Sequence, residues 1–274
     1  MDKIIYIDID GTILDKEKKL GDLTRDAIIN VQKKDVKVVF ATGRTFAEIK
    51  DLAKLLELDK NFNTAICCNG SYISSTDVFK PENIRTIPKE VSKDIADFLS
   101  SKNTKGYFID YLDPKTYYSN LNIDKFSIEQ GVLPKMKVKT IDNDFKWDNV
   151  VLIAFDSPKN ELSSYEDFLE SKSTEIDYIC SKSSHRVNPL FMIGNKNTSK
   201  LVGIEYINKK FNIKDEDVYI FGDGVNDLEM IQKFKSNAFV PSNAPAYVKE
   251  ISKNIIEPPE NDGVGKKINQ IFDL

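Results

Sequence analysis

Short apolar runs alternate along this chain with stretches whose apolar residues recur at helical spacing. The first run is Ile4–Ile7, which reads as a buried strand of a parallel sheet. A charged loop, Leu14–Asp22, follows it. Thr24 predicts a helix cap, with Ala27, Ile28 and Val31 as the buried stripe of a helix reaching Lys34. Val36–Ala41 predicts a second strand, and Phe46, Ile49, Leu52 and Leu56 mark a helix from Thr45. Thr64–Cys68 predicts a third strand, ending at Asn69-Gly70. This alternation of strand and helix argues for an α/β fold built on a doubly wound parallel sheet.

The pattern changes after Asn69-Gly70. Tyr72-Ile73 and Val78-Phe79 predict a small hairpin, and Pro81 and Pro88 punctuate a crossing out of the first layer. Then come a helix over Lys89–Ser101, a strand over Gly106–Leu112 and a ragged Tyr- and Lys-rich stretch to Lys139. Asn149–Phe155 predicts a strand, Asn160–Leu169 a helix and Ile176–Cys180 another strand. Long irregular pieces, not crossover helices, separate these strands. The spacing therefore predicts an inserted, partly antiparallel α+β unit over residues 82–186. From Val187 the first pattern resumes. Helices are expected over Ser199–Phe211, Asn226–Phe234 and Ala246–Ile251 and from Val264, and strands over Val218–Phe221, Ala238–Val240 and Asn254–Ile256. The core domain is thus expected to be split, as residues 1–81 and 187–274.

Composition narrows the chemistry. The 274 residues are 41% apolar, ample for a core, and the net charge of −4 gives no reason to expect a nucleic-acid partner. No apolar run approaches the roughly 20 residues of a membrane span, and the N-terminus enters a strand without a signal peptide. The three cysteines, Cys67, Cys68 and Cys180, lack metal-type spacing, so reduced thiols and a cytoplasmic setting are expected. His185 is the one histidine, in the polar stretch SKSSHRVNP, and reads as a surface or hinge residue. A zinc site built on several histidines is excluded.

Candidate chemistry gathers where strands end. Asp8 and Asp10 close the first strand, Gly11 permits a sharp turn, and Thr12 can hydrogen-bond beside it. Residues two apart on a strand share a side, and open parallel sheets bind ligands at their carboxyl ends. Like charges about 4 Å apart cost roughly 4 kcal/mol at an effective dielectric near 20, which a cation or a proton relieves. A solvated acidic loop is the alternative reading. Thr42-Gly43-Arg44 ends the second strand, Lys200 opens a helix, and FGDGVNDLEM brings Asp223, Asn226 and Asp227 to another strand end. Asp227 can also be read as a helix N-terminal residue favoured by the dipole.

Several carboxylates without histidine or thiolate suit a hard cation, and Mg²⁺ suits best because it uses few carboxylates plus a substrate phosphate. Lys200 adds positive charge, and Thr42 with nearby amides can hold phosphate oxygens. One carboxylate can attack phosphorus while a second protonates the leaving alcohol and then activates water. Asp8 and Asp10 fit those roles in that order.

DIDGT, ATGR, the lysine in TSKLVGIEYI and GDGVND, in this order and spacing, resemble the four motifs of the haloacid-dehalogenase-like phosphatases. The insertion resembles the large α/β cap of the Cof-type subfamily, and the likeness spans almost the whole chain. The resemblance implies a Rossmann-like core with an inserted cap. It implies Asp8 as nucleophile and Mg²⁺ ligand, and Asp10 as general acid/base lending its backbone carbonyl to the metal. It implies Thr42 and Lys200 on the transferring phosphoryl group, with Gly43 allowing close backbone approach and Asn226 near the phosphate. Asp223 would bind Mg²⁺ and Asp227 support the metal shell. Arg44 would reach substrate or cap, or form a surface ion pair. The chain departs from the pattern at Asp35, Leu201 and Ser242, where many relatives have glycine.

In the family such caps choose the leaving group. Tyr107, Tyr111, Tyr117, Tyr118 and Trp147 are candidate substrate contacts, with ordinary packing as the alternative, and Lys182, His185 and Arg186 lie near the return hinge. The expectation is a cytoplasmic Mg²⁺-dependent phosphatase of small phosphorylated metabolites, sugar phosphates foremost, acting as a monomer or dimer. The alternatives are a phosphatase of FMN or pyridoxal phosphate, a phosphoryl-transferring mutase on the same core, and a sugar-phosphate-binding regulator without turnover.

Overall fold

The computed structural model describes residues 3–122, 136–182 and 187–274. His185, Arg186 and the middle of the Tyr- and Lys-rich stretch lie outside the described residues. The chain forms two compact units, one of Met1–Arg44, Ile49–Glu82 and Ser199–Leu274, the other of Thr45–Glu48 and Asn83–Thr198.

The chain begins with β1 (Ile4–Ile7), α1 (Asp22–Gln32), β2 (Lys37–Ala41), α2 (Phe46–Leu55), β3 (Ala65–Cys67) and β4 (Tyr72–Ser74). It continues through α3 (Lys89–Ser101), β5 (Gly106–Asp110), β6 (Thr116–Ser119), β7 (Lys137–Thr140), β8 (Val150–Asp156), α4 (Leu162–Glu170), β9 (Ile176–Ser181) and β10 (Leu190–Asn195). It returns through α5 (Lys200–Phe211), β11 (Val218–Phe221), α6 (Leu228–Lys233), β12 (Ala238–Pro241), α7 (Ala246–Ile251), β13 (Asn254–Ile256) and α8 (Gly263–Phe272).

In the first unit, seven strands form one sheet in the order β13-β12-β11-β1-β2-β3-β4. The pairings are parallel except that β4 runs antiparallel to β3. β1 is the central strand, with Ile4 opposite both Val218 and Lys37. Its four residues are all buried, as a strand covered on both faces must be. Tyr6, Val39, Ile66 and Ile220 share one apolar cluster with Ile204 and Ile207 of α5 and Met230 and Ile231 of α6. α1 and α8 pack so closely that a Cβ on Gly265 would sit 2.6 Å from the Thr24 Cα.

Two local expectations fail for identifiable reasons. Thr24 does not cap α1. The helix starts at Asp22, and Thr24 lies buried in its first turn, donating its amide to Asp262 Oδ1 at 2.9 Å. The cap is a side chain from the far end of the sequence, invisible to local pattern. The Tyr72-Ile73 strand also does not pair with Val78-Phe79. Ile73 bridges Glu82, and Asp77 Oδ1 takes the Val78 amide at 2.7 Å, which turns the chain there.

The second unit carries six strands in the order β7-β6-β5-β8-β10-β9. They are antiparallel apart from the β6–β7 pair. Its core joins Ile95 and Leu99 of α3, Tyr165 and Leu169 of α4, and Phe108, Ile153, Phe155 and Phe191 of the strands. β10 pairs with both β8 and β9, so the second sheet continues past the Arg186 boundary, and its unit runs to Thr198. The apolar run Leu190–Ile193 belongs to this sheet and not to the first pattern. Tyr118 and Trp147 pack on Phe145, and the Tyr107 and Tyr117 rings meet edge to face, which is the packing reading of those aromatics. Burial and the neighbouring Asp113 push the Tyr118 phenol up to about 12. Within the same unit Glu48 Oε2 accepts from the Thr45 amide at 2.8 Å and the Tyr117 hydroxyl at 2.7 Å. Among the described residues no helix is long and apolar enough to cross a membrane.

The remote cap can be tested. Asp262 has φ 55°, a left-handed conformation that asparagine tolerates and alanine resists. Asp262→Asn is expected to keep near wild-type stability, because it retains an acceptor. Asp262→Ala is expected to lose about 2 kcal/mol, the sum of a lost cap and a strained backbone. Denaturant midpoints measure this, and equal midpoints for the two variants would refute it.

Candidate active site

The carboxyl ends of β11, β1 and β2 lie side by side, and the sheet order runs outward in both directions from β1. Side chains just past these three ends must therefore gather. Asp8 directly follows β1, Thr42 directly follows β2, and Gly222-Asp223 follow β11, while Lys200 opens α5. Asp8 extends the β1–β11 ladder by one bond, its amide donating to the Phe221 carbonyl at 2.9 Å.

Lys200 sits at the centre. Its Nζ lies 2.5 Å from Asp8 Oδ1 and 2.7 Å from Asp227 Oδ1, and all three side chains are buried. Asp227 uses its other oxygen to hold the turn, accepting from the Asp223 amide at 3.0 Å and the Gly224 amide at 2.8 Å. Thr12 Oγ1 donates to Asp223 Oδ1 at 2.8 Å. Asp8, Asp223 and Asp227 each offer a carboxylate oxygen within 4.8 Å of the others. Asp227 has both oxygens committed, so the oxygens with no hydrogen bond among the described residues are Oδ2 of Asp8 and Oδ2 of Asp223. This is an all-oxygen, anionic donor set, which fits a hard divalent cation. Two glycines make room for it. Gly11 has φ +85°, and a Cβ there would overlap the Asp223 carboxylate. A Cβ on Gly222 would lie 2.6 Å from Asp227 Cγ.

Charge is unbalanced in this cluster. Burial pushes Asp8 well above the usual carboxylate range, and the Asp227 and Asp223 charges add to it against the pull of Lys200. Burial, then Asp227, raises Asp223 to about 7, against the Thr12 hydrogen bond and the Lys200 charge. Lys200 is buried too, but Asp227 and Asp8 outweigh that cost and keep it charged, its pKa raised. One ammonium faces three carboxylates, so protons or an added cation must carry the difference.

Asp10 is held differently. Arg44 grips it with both prongs of its guanidinium, Nε to Oδ2 at 2.7 Å and Nη2 to Oδ1 at 2.6 Å. Lys18 Nζ also reaches Oδ1, at 2.6 Å. Burial would raise this carboxyl, yet the two cations hold it down at about 2. Lys18 escaped the sequence reading because nothing separates it from Lys16 and Lys19 in the same charged loop.

Thr42 is buried, and its Oγ1 accepts from the Arg44 amide at 3.2 Å. Asn226 Nδ2 donates to Asn69 Oδ1 at 3.0 Å, and Asn243 Nδ2 to the Gly11 carbonyl at 3.1 Å. The structure thus brings Asp8, Asp223, Asp227 and Lys200 into direct or near contact and pairs Asp10 with Arg44. Asn226 is tied to Asn69, a second residue the sequence reading did not place in the site. The only local sign of Asn69 was an Asn-Gly step after a strand.

Comparison with known proteins places the chain in a family. A family model described as haloacid dehalogenase-like hydrolase matches residues 5–268. The 5-amino-6-(5-phospho-D-ribitylamino)uracil phosphatase YcsE of Bacillus subtilis is 28% identical over 97% of this chain and 94% of its own. A haloacid dehalogenase-like hydrolase from Bacteroides thetaiotaomicron superposes with a TM-score of 0.83 at 22% identity, covering 99% of this chain and 100% of that one. The HAD subclass IIB sugar phosphatase BT4131 superposes with a TM-score of 0.81 at 22% identity, covering 99% of this chain and 100% of that one. The chain belongs to the haloacid dehalogenase-like hydrolases and is a phosphatase of their Cof type.

Proposed function

We propose that this enzyme hydrolyses phosphate monoesters of small metabolites, sugar phosphates foremost, with Mg²⁺ and through a phosphoryl group carried on Asp8. The observation that supports this most directly is Asp8 itself. It is a buried carboxylate with one oxygen fixed by Lys200 and the other left without a hydrogen bond among the described residues. Mg²⁺ held by Asp8, Asp223 and the Asp10 carbonyl would neutralise the excess negative charge and draw in the phosphate. In this reading Oδ2 of Asp8 attacks phosphorus and the bond to the alcohol oxygen breaks. Asp10 gives the alcohol a proton, then takes one from the water that cleaves the aspartyl phosphate. Lys200 and Thr42 hold the phosphoryl oxygens, with Gly43 allowing the backbone close. Asp227 supports the turn that carries Asp223.

Arg44 forms an ion pair, as one alternative from the sequence had it, and its partner is Asp10. While Arg44 and Lys18 hold it, Asp10 stays deprotonated, ready to take a proton from water. Protonating an alcohol requires that grip to loosen. For the substrate, the sugar phosphatase BT4131 supports a sugar phosphate. A phosphorylated ribityl-pyrimidine is the second reading, because three Bacillus subtilis relatives carry the name of that phosphatase activity. A primary phosphate ester on a polyol is common to both.

Three outcomes follow from this reading. Phosphate release from p-nitrophenyl phosphate should require Mg²⁺, vanish with EDTA and fall about a thousandfold or more in Asp8→Asn. Turnover that survives EDTA or the Asp8 change would refute it, and isomerised product without free phosphate from a sugar phosphate panel would indicate a mutase.

The second outcome concerns pH. Asp223 is raised to about 7 when folded, from near 3.9 unfolded, so the folded protein binds the extra proton between these values. Its contribution to metal-free stability is full below about pH 4 and is lost as pH rises through 7. Mg²⁺ must displace that proton, so its stabilising shift in melting temperature should be larger at pH 8 than at pH 5.5. Equal shifts would count against Asp223 as a ligand.

Third, Arg44→Ala removes a cation that keeps Asp10 deprotonated, so it should move the acid limb of the kcat profile to higher pH and lower kcat at acidic pH about tenfold for alkyl and p-nitrophenyl phosphates alike, since both pass through the same water-activating step. A change confined to KM, equal for both substrates, would make Arg44 a substrate ligand instead.

A further inference from the structure

The turn after β3 touches the loops after β2 and β11 and the residue that precedes Lys200. Cys68, Asn69 and Gly70 take three successive positive φ angles, 48°, 54° and 95°. Such backbone is costly for a residue with a side chain and persists only where its surroundings hold it. The holding contacts are specific. The Cys68 amide donates to the Arg44 carbonyl at 2.9 Å, and the Asn69 amide to the Thr42 carbonyl at 2.9 Å, which fastens the loop after β2. A Cβ on Gly43 would come 3.2 Å from Asn69 Oδ1, so that loop lies against the amide of Asn69. The same oxygen accepts from Asn226 Nδ2 at 3.0 Å, in the loop after β11. A Cβ on Gly70 would overlap the Ser199 carbonyl, at the residue that caps α5 and precedes Lys200. Asn69 is 5% exposed.

We propose that Asn69 is a positioning residue of the phosphate site, the buried hub that fixes Asn226 and the Thr42–Arg44 loop relative to each other. The proposal rests on the phosphate-monoester reading above. A carboxamide offers two N–H donors in one plane. By taking one of those of Asn226, Asn69 fixes the plane in which the other is presented to a phosphoryl oxygen. The left-handed turn sets the height of Asn69, the backbone amides of Cys68 and Asn69 bind the loop carrying Thr42, and the Asn69 side chain binds the loop carrying Asn226. A turn residue chosen only for its backbone would need no partner across 157 positions of sequence.

Glycine separates the two roles, because it accepts the left-handed backbone and removes only the side chain. Asn69→Gly, Asn226→Ala and the double variant are compared with wild type for kcat and KM on p-nitrophenyl phosphate, and for inhibition by inorganic phosphate. The stabilising shift that inorganic phosphate with Mg²⁺ gives the melting temperature is measured alongside. Each single variant is expected to raise KM and the phosphate inhibition constant about tenfold, the usual scale for an aligned hydrogen bond to a charged group. The double variant is expected to be no worse than the worse single one, since Asn69 acts through Asn226. Asn69→Gly within twofold of wild type, or a double variant whose losses multiply, overturns the proposal. Wild-type protein without metal-dependent turnover defeats the phosphatase reading alone. The phosphate-induced shift still decides this inference: its loss in Asn69→Gly supports it, and an equal or absent shift in both proteins overturns it.

Discussion

A single ammonium group, enclosed where no water can reach it, sets the terms for this end of the sheet. Removing an ion from water costs several kcal/mol, so Lys200 needs both Asp8 and Asp227. Deleting one partner of such a buried pair typically costs 3–5 kcal/mol, because the other charge is then stranded. The arrangement therefore locks three pieces of chain together: the end of β1, the turn after β11 and the start of α5. It also leaves carboxylates in surplus, and burial together with the Asp227 charge raises Asp223 to about 7. The same imbalance makes the cluster a fit for a divalent cation. The side chains that lock this end of the sheet are thus the same ones that set its charge, and neither property can be changed without the other.

Much of the first sheet could be read from residue order. β1, β11 and β13 are compact apolar runs bounded by charge or glycine, and β11 and β13 begin and end where pattern placed them. α3 likewise spans Lys89–Ser101, because Val91, Ile95 and Leu99 mark its stripe cleanly. The second sheet was harder. β7 reads KVKT, mostly exposed, as edge strands guarded by lysine tend to be. β6 reads TYYS, without the alternation that signals a half-buried strand. β10 is strongly apolar but lies directly before the return to the first sheet, and nothing local assigns it to one sheet or the other.

The site divides along the same line. Carboxylates behind apolar strands stand out, since a buried strand followed by acid and glycine has few structural excuses. Asp8 and Asp223 were visible for that reason. What remained hidden was pairing across distance: Arg44 on Asp10, Lys18 on the same oxygen, Asn69 on Asn226. Each of these residues is ordinary in its own neighbourhood, and only the fold makes it a partner. Asp227 shows a subtler limit. Its spacing marks it as an acid close to Asp223, but only the geometry reveals that both its oxygens are already spoken for.

The placement of β1 between β2 and β11 has a bearing on how the protein is made. Ile4 lies opposite Lys37, which is synthesised early, but its other neighbour, Val218, comes late. Until the ribosome has released β11, one long side of a fully apolar strand has no hydrogen-bonding mate. The inserted unit, whose strands are nearly all close in sequence, can mature in that interval, while the central sheet waits. Non-local pairing of this kind slows folding and leaves adhesive surface open on the growing chain. Residues far from any chemistry can therefore govern yield in the cell: those that hasten the arrival and docking of the last third of the polypeptide.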